Sequence, residues 1–358
     1  MRGQHGRFIM RRFFADDSFW NTPIPADVRI AEGSAAQIAF LAQMRPEGVW
    51  VNHEHYTIPV YAADGRTPRH RIHRRFAWNS RFFRPEMLAA ARTHLPEDFP
   101  LGHGPGFGVE VPIPVDAMQD PDGDQHLAIV DWERRLGWDM WGAQRRPDGG
   151  WEAGTGMVYA LDGAGVFDPA MFPVRDGESL HLYGPSRAAG VPTIAGLIMR
   201  DEIVAGGIEH KLSFASSAVA LQQFIFPPAC WTDGPIPGGI PEGAVVQLDP
   251  ALDLGGLPLS RTGMIIARAW QKYGAVCVDG AGGNVVYAEG LYGSQPRNWQ
   301  GLLQPREVEA LGYEHFRIVD LGGRLIAGGD TGHPVWPVAA AASGAAAERA
   351  KIRPWPTA

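Results

Sequence analysis

The 358-residue sequence predicts a mainly β protein, an antiparallel β-sandwich or jelly-roll-like fold with a few short helices. Two observations carry that prediction. The chain holds 45 glycines and 30 prolines, punctuation that breaks long helices and favours short strands joined by turns. Its apolar runs alternate with the period of a strand and recur about every 10 residues, the spacing of sandwiches and barrels. Hydrophobic residues make up 45% and charged residues 20%, a globular rather than a disordered composition.

Taken in order, residues 1–12 read as a lead-in, 13–335 as one β-rich domain and 336–358 as an Ala- and Pro-rich peripheral tail. SAAQIAFLAQM, residues 34–44, reads as a helix capped by Ser34. VWVNHEHYTIPVYAADG alternates and ends in a turn, which predicts strands. PEMLAAARTHL, residues 85–95, is a second short helix with Pro85 at its start. HLAIVDWERRLGWDMWGA reads as two strands joined at Glu133, Arg134 and Arg135, and GWEAGTGMVYAL adds another. EHKLSFASSAV, QQFIFP and AVVQLD continue the pattern. SRTGMIIARAWQKYG, residues 260–274, is the clearest helix, with Ile266, Trp270 and Tyr273 on one face and Gly274 as its stop. AVCVDG and NVVYAEG read as a strand pair around the turn GAGG.

The formal net charge is −7 and no long basic run exists, which argues against nucleic acid as the main partner. The basic stretch Arg69 to Arg75, RHRIHRR, reads as a solvated strand or loop. No apolar run reaches membrane-spanning length. The first 20 residues lack the apolar core and small-residue cleavage site of a signal peptide. Cys230 and Cys277 allow one disulfide, but Cys277 within AVCVDG reads as a buried thiol.

GxSxG, GxxxxGK[ST], HExxH and paired CxxC are all missing, and the Gly-rich GHGPGFG at 102–108 reads as a loop. Serine hydrolases, P-loop NTPases, zincins and dinucleotide enzymes are thereby demoted. Three stretches carry ionisable groups in patterns that bear chemistry. Asp120, Asp122 and Asp124 alternate like a hard-cation loop and form a candidate Ca²⁺ set, though without the distal Glu of an EF-hand. His126 opens an apolar strand, and Asp139 stands between Trp138 and Trp141, the look of a sugar subsite. Asp201 and Glu202 open a short helix stopped by Gly206 and Gly207, and His210 follows on the inward face of a strand with Ile208, Leu212 and Phe214. There the two carboxylates either cap the helix or pair with the imidazole. Tyr183 and Arg187 flank the same region. His53 and His55 share a strand face and suggest a metal pair; His70 and His73 do not.

SRAAGVPTIAGLIMRDEIVAGGIEHKLSF, with DQHLAIVDWERRLGWDMW upstream and ARAWQKYGAVCVDG downstream, resembles a group of often exported bacterial proteins. They share AAGLP, then GL, then DE, then G-I-x-H-x-L-x-F, and the likeness spans roughly residues 120–290. It implies an exported, polysaccharide-related context and brings no settled activity. The chain departs from the group in showing no signal peptide and in having Asp139 where Glu is expected. The location implied is extracytoplasmic if the N-terminus is trimmed and cytoplasmic otherwise.

The expectation is therefore a carbohydrate-active enzyme without a cofactor, a glycoside hydrolase acting on an oligo- or polysaccharide in a Trp-lined cleft. Asp201 or Glu202 would be one carboxylate and Asp124 or Asp139 the other, tuned by His126 and His210. Tyr183, Arg187, Trp138 and Trp141 would bind substrate. The alternatives are a polysaccharide lyase working through His, Tyr and Arg, a non-catalytic carbohydrate-binding β-protein, and a metal-dependent enzyme using His53 and His55.

Overall fold

The structure is a computed structural model that describes residues 12–75, 110–167, 186–293 and 297–327. The helix expected at 85–95, the 102–108 loop, Tyr183 and the 336–358 tail lie outside the described residues, as does most of the lead-in. In chain order the elements are β1 (Arg29–Ile30), α1 (Ser34–Met44), β2 (Val49–Asn52), β3 (Ile58–Ala63), β4 (Arg69–His70), β5 (Ile72–Arg74), β6 (Val111–Pro112), β7 (Leu127–Asp131), β8 (Leu136–Trp141), β9 (Gln144–Arg145), β10 (Trp151–Ala153) and β11 (Thr155–Ala160). They continue with α2 (Arg200–Ala205), β12 (Leu212–Ser216), β13 (Val219–Phe226), β14 (Ile240–Glu242), β15 (Val245–Leu248), α3 (Arg261–Lys272), β16 (Ala275–Gly280), β17 (Asn284–Tyr287), β18 (Glu289–Gly290), β19 (Phe316–Asp320) and β20 (Arg324–Ala327).

The chain is mainly β. A seven-stranded sheet runs β1-β19-β15-β16-β12-β17-β2, and a five-stranded sheet runs β11-β8-β7-β3-β18. One apolar cluster joins them: Ala215, Val245, Val276, Val278 and Tyr287 from the first sheet meet Ile58, Val60, Ala128, Val130, Met157 and Tyr159 from the second. The other face of the seven-stranded sheet is covered by the helices, through Ile38, Leu41, Ile266 and Trp270 against Leu212, Phe214, Val246 and Val286. The outer face of the five-stranded sheet packs Ile129, Trp138 and Met140 against Ile72, Val111 and Trp151. Strands buried on both faces explain the continuous apolar runs LAIVD and AVCV, where half-exposed strands would alternate.

Local grammar is obeyed where partners are near in sequence. β7 and β8 form the expected hairpin, Leu127 opposite Met140 and Asp131 opposite Leu136. The Asp131 side chain accepts from Arg134 N at 2.9 Å, and Arg135 takes the left-handed conformation with φ 57°. In α3 the Ser260 hydroxyl accepts from Gly263 N, and Ile266, Trp270 and Tyr273 are all buried. Gly274 ends the helix with φ 79°.

Three expectations change. The sheets are mixed rather than antiparallel: β12–β16, β17–β2, β3–β7 and β18–β3 are parallel pairs. Parallel neighbours need long crossovers, and the chain between β12 and β16 passes through β13, β14, β15 and α3. For the same reason AVCVDG and NVVYAEG are not a hairpin, because β12 lies between β16 and β17 and bonds to both. Ser34 does not cap α1; Gly33 occupies that position, and the Ser34 hydroxyl accepts from Ile318 N of β19. Among the described residues no helix is long and apolar enough to cross a membrane. Cys230 and Cys277 are both buried, and no disulfide joins them.

Candidate functional site

A cluster of ionisable groups gathers where the two large sheets meet, around Arg187. The sequence builds it from four directions. His126 immediately precedes β7, Asp279 lies near the end of β16, Tyr287 ends β17, and Arg187 sits in the loop before α2. That loop is pinned at several points. Asp139 of β8 accepts from the Ser186 hydroxyl at 3.0 Å and from Thr193 N at 2.8 Å. Ala189 N donates to Val278 O at 3.0 Å, and Cys230 N donates to Ala189 O at 2.9 Å. At Gly190, with φ 68°, an added Cβ would lie 2.3 Å from Cys230 Sγ, so only glycine lets the loop pass.

Asp279 reaches the cluster through a β-bulge. Phe214 pairs with Cys277 but Ala215 pairs with Asp279, so Val278 is the extra residue. Without it Asp279 would share the face of Cys277, which packs with the helix-side core. The extra residue turns Asp279 to the face of Ala215, toward the inter-sheet layer. There its carboxylate lies 3.5 Å from Arg187 Nη1, and the guanidinium covers the Tyr287 ring at 3.8 Å. The Arg187 side chain is 1% exposed, while Asp279 keeps 19%, so Asp279 is the member open to a ligand.

Burial sets the electrostatics. It pushes Asp279 up to about 8, with Asp233 and Asp124 reinforcing it against the opposing pull of Arg187. Burial, with Arg187 adding to it, pulls His126 down to about 4 despite Asp124, so the imidazole is neutral at pH 7. Its Nε2 lies 3.5 Å from Ser186 O, and its Nδ1, though buried, has no hydrogen-bond partner. Tyr287 is raised by burial. Glu242 of β14 is fully buried and raised well above the usual carboxylate range by desolvation and then by Asp233. Neither of its oxygens has a hydrogen bond of ordinary geometry, although the Thr232 hydroxyl and the Asp233 amide lie beside it. Asp124 is half-buried and accepts from Trp141 Nε1 at 3.4 Å. The surface depressions at Phe19 and Val245 and at Ser18 and Phe226 are lined by other residues.

The sequence-predicted residues divide into two groups. Asp124, His126 and Arg187 come together here. Asp139 is fully buried, raised to about 7 by desolvation, and holds the Arg187 loop from behind. Trp138 is 1% exposed and belongs to the core, where it cannot stack a sugar, whereas Trp141 is half-buried at the rim beside Asp124.

Glu202 and His210 pair with each other. Glu202 Oε2 accepts from Met199 N at 2.9 Å, closing the N-terminus of α2, while Oε1 lies 3.0 Å from His210 Nε2. His210 Nδ1 lies 2.7 Å from Lys211 O, so both ring nitrogens are used. Burial lowers the His210 pKa, but the charge and hydrogen bond of Glu202 and the Lys211 carbonyl outweigh it, and the net shift is upward. Asp201 is an exposed rim residue paired with Arg297 at 3.1 Å. Capping and imidazole pairing are thus both done by Glu202.

Asp120, Asp122 and Asp124 do not converge as a cation loop does. Asp120 accepts from Tyr292 Oη at 3.2 Å, Asp122 from Tyr56 N at 2.9 Å, and Asp124 from Trp141. Nor do His53 and His55 form a pair: they follow the end of β2, His53 buried with Nδ1 3.3 Å from Val51 O, His55 exposed and 3.2 Å from Asp122. Among the described residues no group of three or more His, Cys, Asp or Glu is placed to hold a metal ion.

Sequence reading missed Asp279, Tyr287, Asp233 and Glu242. Asp279 had a signal, a carboxylate closing the apolar run AVCV. Glu242 had none, since a lone acid in GGIPEGAVV looks like any turn residue. No known protein-family model, curated protein or solved structure matches the chain.

Proposed function

We propose that the chain is a glycoside hydrolase whose paired carboxylates are Asp279 and Asp124. The observation that carries this reading is the state of Asp279: a carboxyl raised to about 8 yet partly exposed, beside a second acid in a less buried place. Glycosidic cleavage needs one carboxyl that still holds a proton at working pH and another that accepts one or attacks. Asp279 donates to the leaving oxygen. Asp124 acts as base or nucleophile. Arg187, stacked on Tyr287, faces Asp279 at 3.5 Å, and Trp141 offers a flat face at the rim.

Arg187 over Tyr287, with His126 beside them, is the observation that favours β-elimination instead. In that reaction Arg187 neutralises a uronate. Its charge already faces Asp279, which weighs against that role.

The test is a glycan panel with reducing-end detection and absorbance of unsaturated ends, run on the wild type and on Asp279→Asn. New reducing ends without unsaturation, lost in Asp279→Asn, support the hydrolase. Unsaturated ends replace it with the lyase. Binding without any product replaces both with a carbohydrate-binding protein.

A further inference from the structure

Resting on the hydrolase reading, we propose that Tyr56 is the platform of a second sugar subsite: a neutral pyranose stacks on its ring and donates hydroxyl hydrogen bonds to Asp122, extending the glycan path beyond Asp124 and Trp141. Tyr56 stands in the link between β2 and β3 and is 43% exposed. Its backbone is left-handed, φ 48°, and its N–H donates to Asp122 Oδ2 at 2.9 Å. The same oxygen lies 3.2 Å from Nδ1 of the exposed His55. The link is thus tied to the turn Asp122-Gly123-Asp124, and the Tyr56 ring lies against it: a Cβ placed on Gly123 would sit 4.0 Å from Tyr56 Cε1. The turn is also held to the end of β8, where Gly142 N donates to Asp124 O at 2.9 Å and Trp141 Nε1 to Asp124 Oδ1 at 3.4 Å. One short turn therefore brings together the proposed reacting acid, Asp124, and two aromatic side chains.

A left-handed backbone disfavours a bulky residue, and an exposed ring does not offset that cost by burial. What exposure leaves open is a ring face. Tyrosine offers a large, rigid, amphipathic surface with only two side-chain torsions to fix. A pyranose has the matching shape, an apolar C–H face bordered by hydroxyls that donate to a carboxylate oxygen. Other occupants fit less well. A stable protein interface buries about 800 Å² on each partner, far more than one ring flanked by polar side chains. A nucleotide also stacks, but its phosphates bring acceptors to carboxyl groups, and a uronate does the same. Because Asp124 belongs to the turn that carries Asp122, the unit on Tyr56 is a neighbour of the unit being cleaved, and its binding is felt by long glycans more than by short ones.

The experiment is calorimetric binding and product analysis with trimers and hexamers of β-1,4-glucose, β-1,3-glucose, N-acetylglucosamine and galacturonate. The proteins are the wild type, Tyr56→Phe, which keeps the ring, and Tyr56→Asn, which removes it at a backbone that asparagine tolerates. Folding is checked by circular dichroism, and Tyr56→Gly, free of backbone strain there, takes the place of Tyr56→Asn if that variant does not fold. A neutral hexamer is expected to bind the wild type and Tyr56→Phe alike and to bind Tyr56→Asn about tenfold more weakly, with a smaller loss for its trimer. That pattern with cleavage supports both the subsite and the hydrolase. The same pattern without cleavage keeps the subsite and removes the hydrolase. Neutral hexamers that bind Tyr56→Asn as tightly as the wild type overturn the subsite, and their cleavage would leave the hydrolase standing. An equal loss in Tyr56→Phe overturns the stacking role, and galacturonate hexamers bound more tightly than every neutral set overturn the substrate class. No binding and no cleavage of any set overturns both.

Discussion

Two histidines in this chain each meet an acid, and their states are opposite. His210 has Glu202 at 3.0 Å on one nitrogen and a backbone carbonyl at 2.7 Å on the other, and its pKa is raised. His126 has one long contact, an unpartnered Nδ1 and a pKa near 4. A buried imidazole whose two N–H groups both donate is stabilised as a cation and is a structural bolt. A buried neutral imidazole with an open lone pair is costly unless something completes it. Residue type therefore does not separate the two regions; hydrogen-bond satisfaction does.

The largest expected effect tests that separation directly. On the proposed hydrolase reading, His126→Gln, which changes the surroundings of Asp124 and Arg187, is expected to lower the rate of glycan cleavage by about 10²-fold, the lower end of what a positioned acid–base group contributes. His210→Gln is expected to leave the rate of the folded protein unchanged. Equal losses in the two variants would erase the distinction. The next effect is on stability. Glu202→Gln removes the charge on His210 and weakens the α2 cap, at a cost of about 2 kcal/mol by urea denaturation with unchanged kcat. A loss of kcat in the folded Glu202→Gln protein would return Glu202 to the reacting groups.

How much of this was readable follows from the range of each contact. The β7–β8 hairpin and α3 were legible because their partners lie within a few residues. The placement of β12 between β16 and β17 was not, because it depends on a crossover of some sixty residues that no turn signal encodes. The site divides in the same way. Asp124, His126 and Arg187 stand in marked motifs, whereas Asp279 joins them only through a bulge set by the register of a distant strand. Asp201 and Glu202 were legible as alternative partners of His210, but the choice of Glu202 and its closed hydrogen bonding were not, since satisfaction is a property of three-dimensional neighbours.

The pH dependence of stability sharpens the comparison further. His210 binds its proton more tightly in the folded state than its usual value of 6.5. Its contribution is therefore full below pH 6.5 and is lost as pH rises through the folded pKa. His126 runs the other way: its folded pKa near 4 makes its contribution full above pH 6.5 and lost as pH falls toward 4. Urea midpoints of the wild type minus those of His210→Gln, measured from pH 5 to 9, should shrink as pH rises. A difference that stays flat would mean that Glu202 does not hold the imidazolium.

The smallest expected effect belongs to Asp201, the neighbour of Glu202 in sequence. Its side chain is 62% exposed and its ion pair with Arg297 is open to solvent. Exposed pairs contribute between nothing and about 1 kcal/mol, and salt screens them. Arg297 also holds the buried Glu289 at 3.0 Å, so losing Asp201 leaves that cation paired. Asp201→Asn should therefore shift stability by less than about 0.5 kcal/mol and leave kcat unchanged, a result read from parallel urea and rate measurements. Adjacent carboxylates that read alike in the sequence then differ several-fold in what they contribute, because one is buried against two donors and the other stands in water.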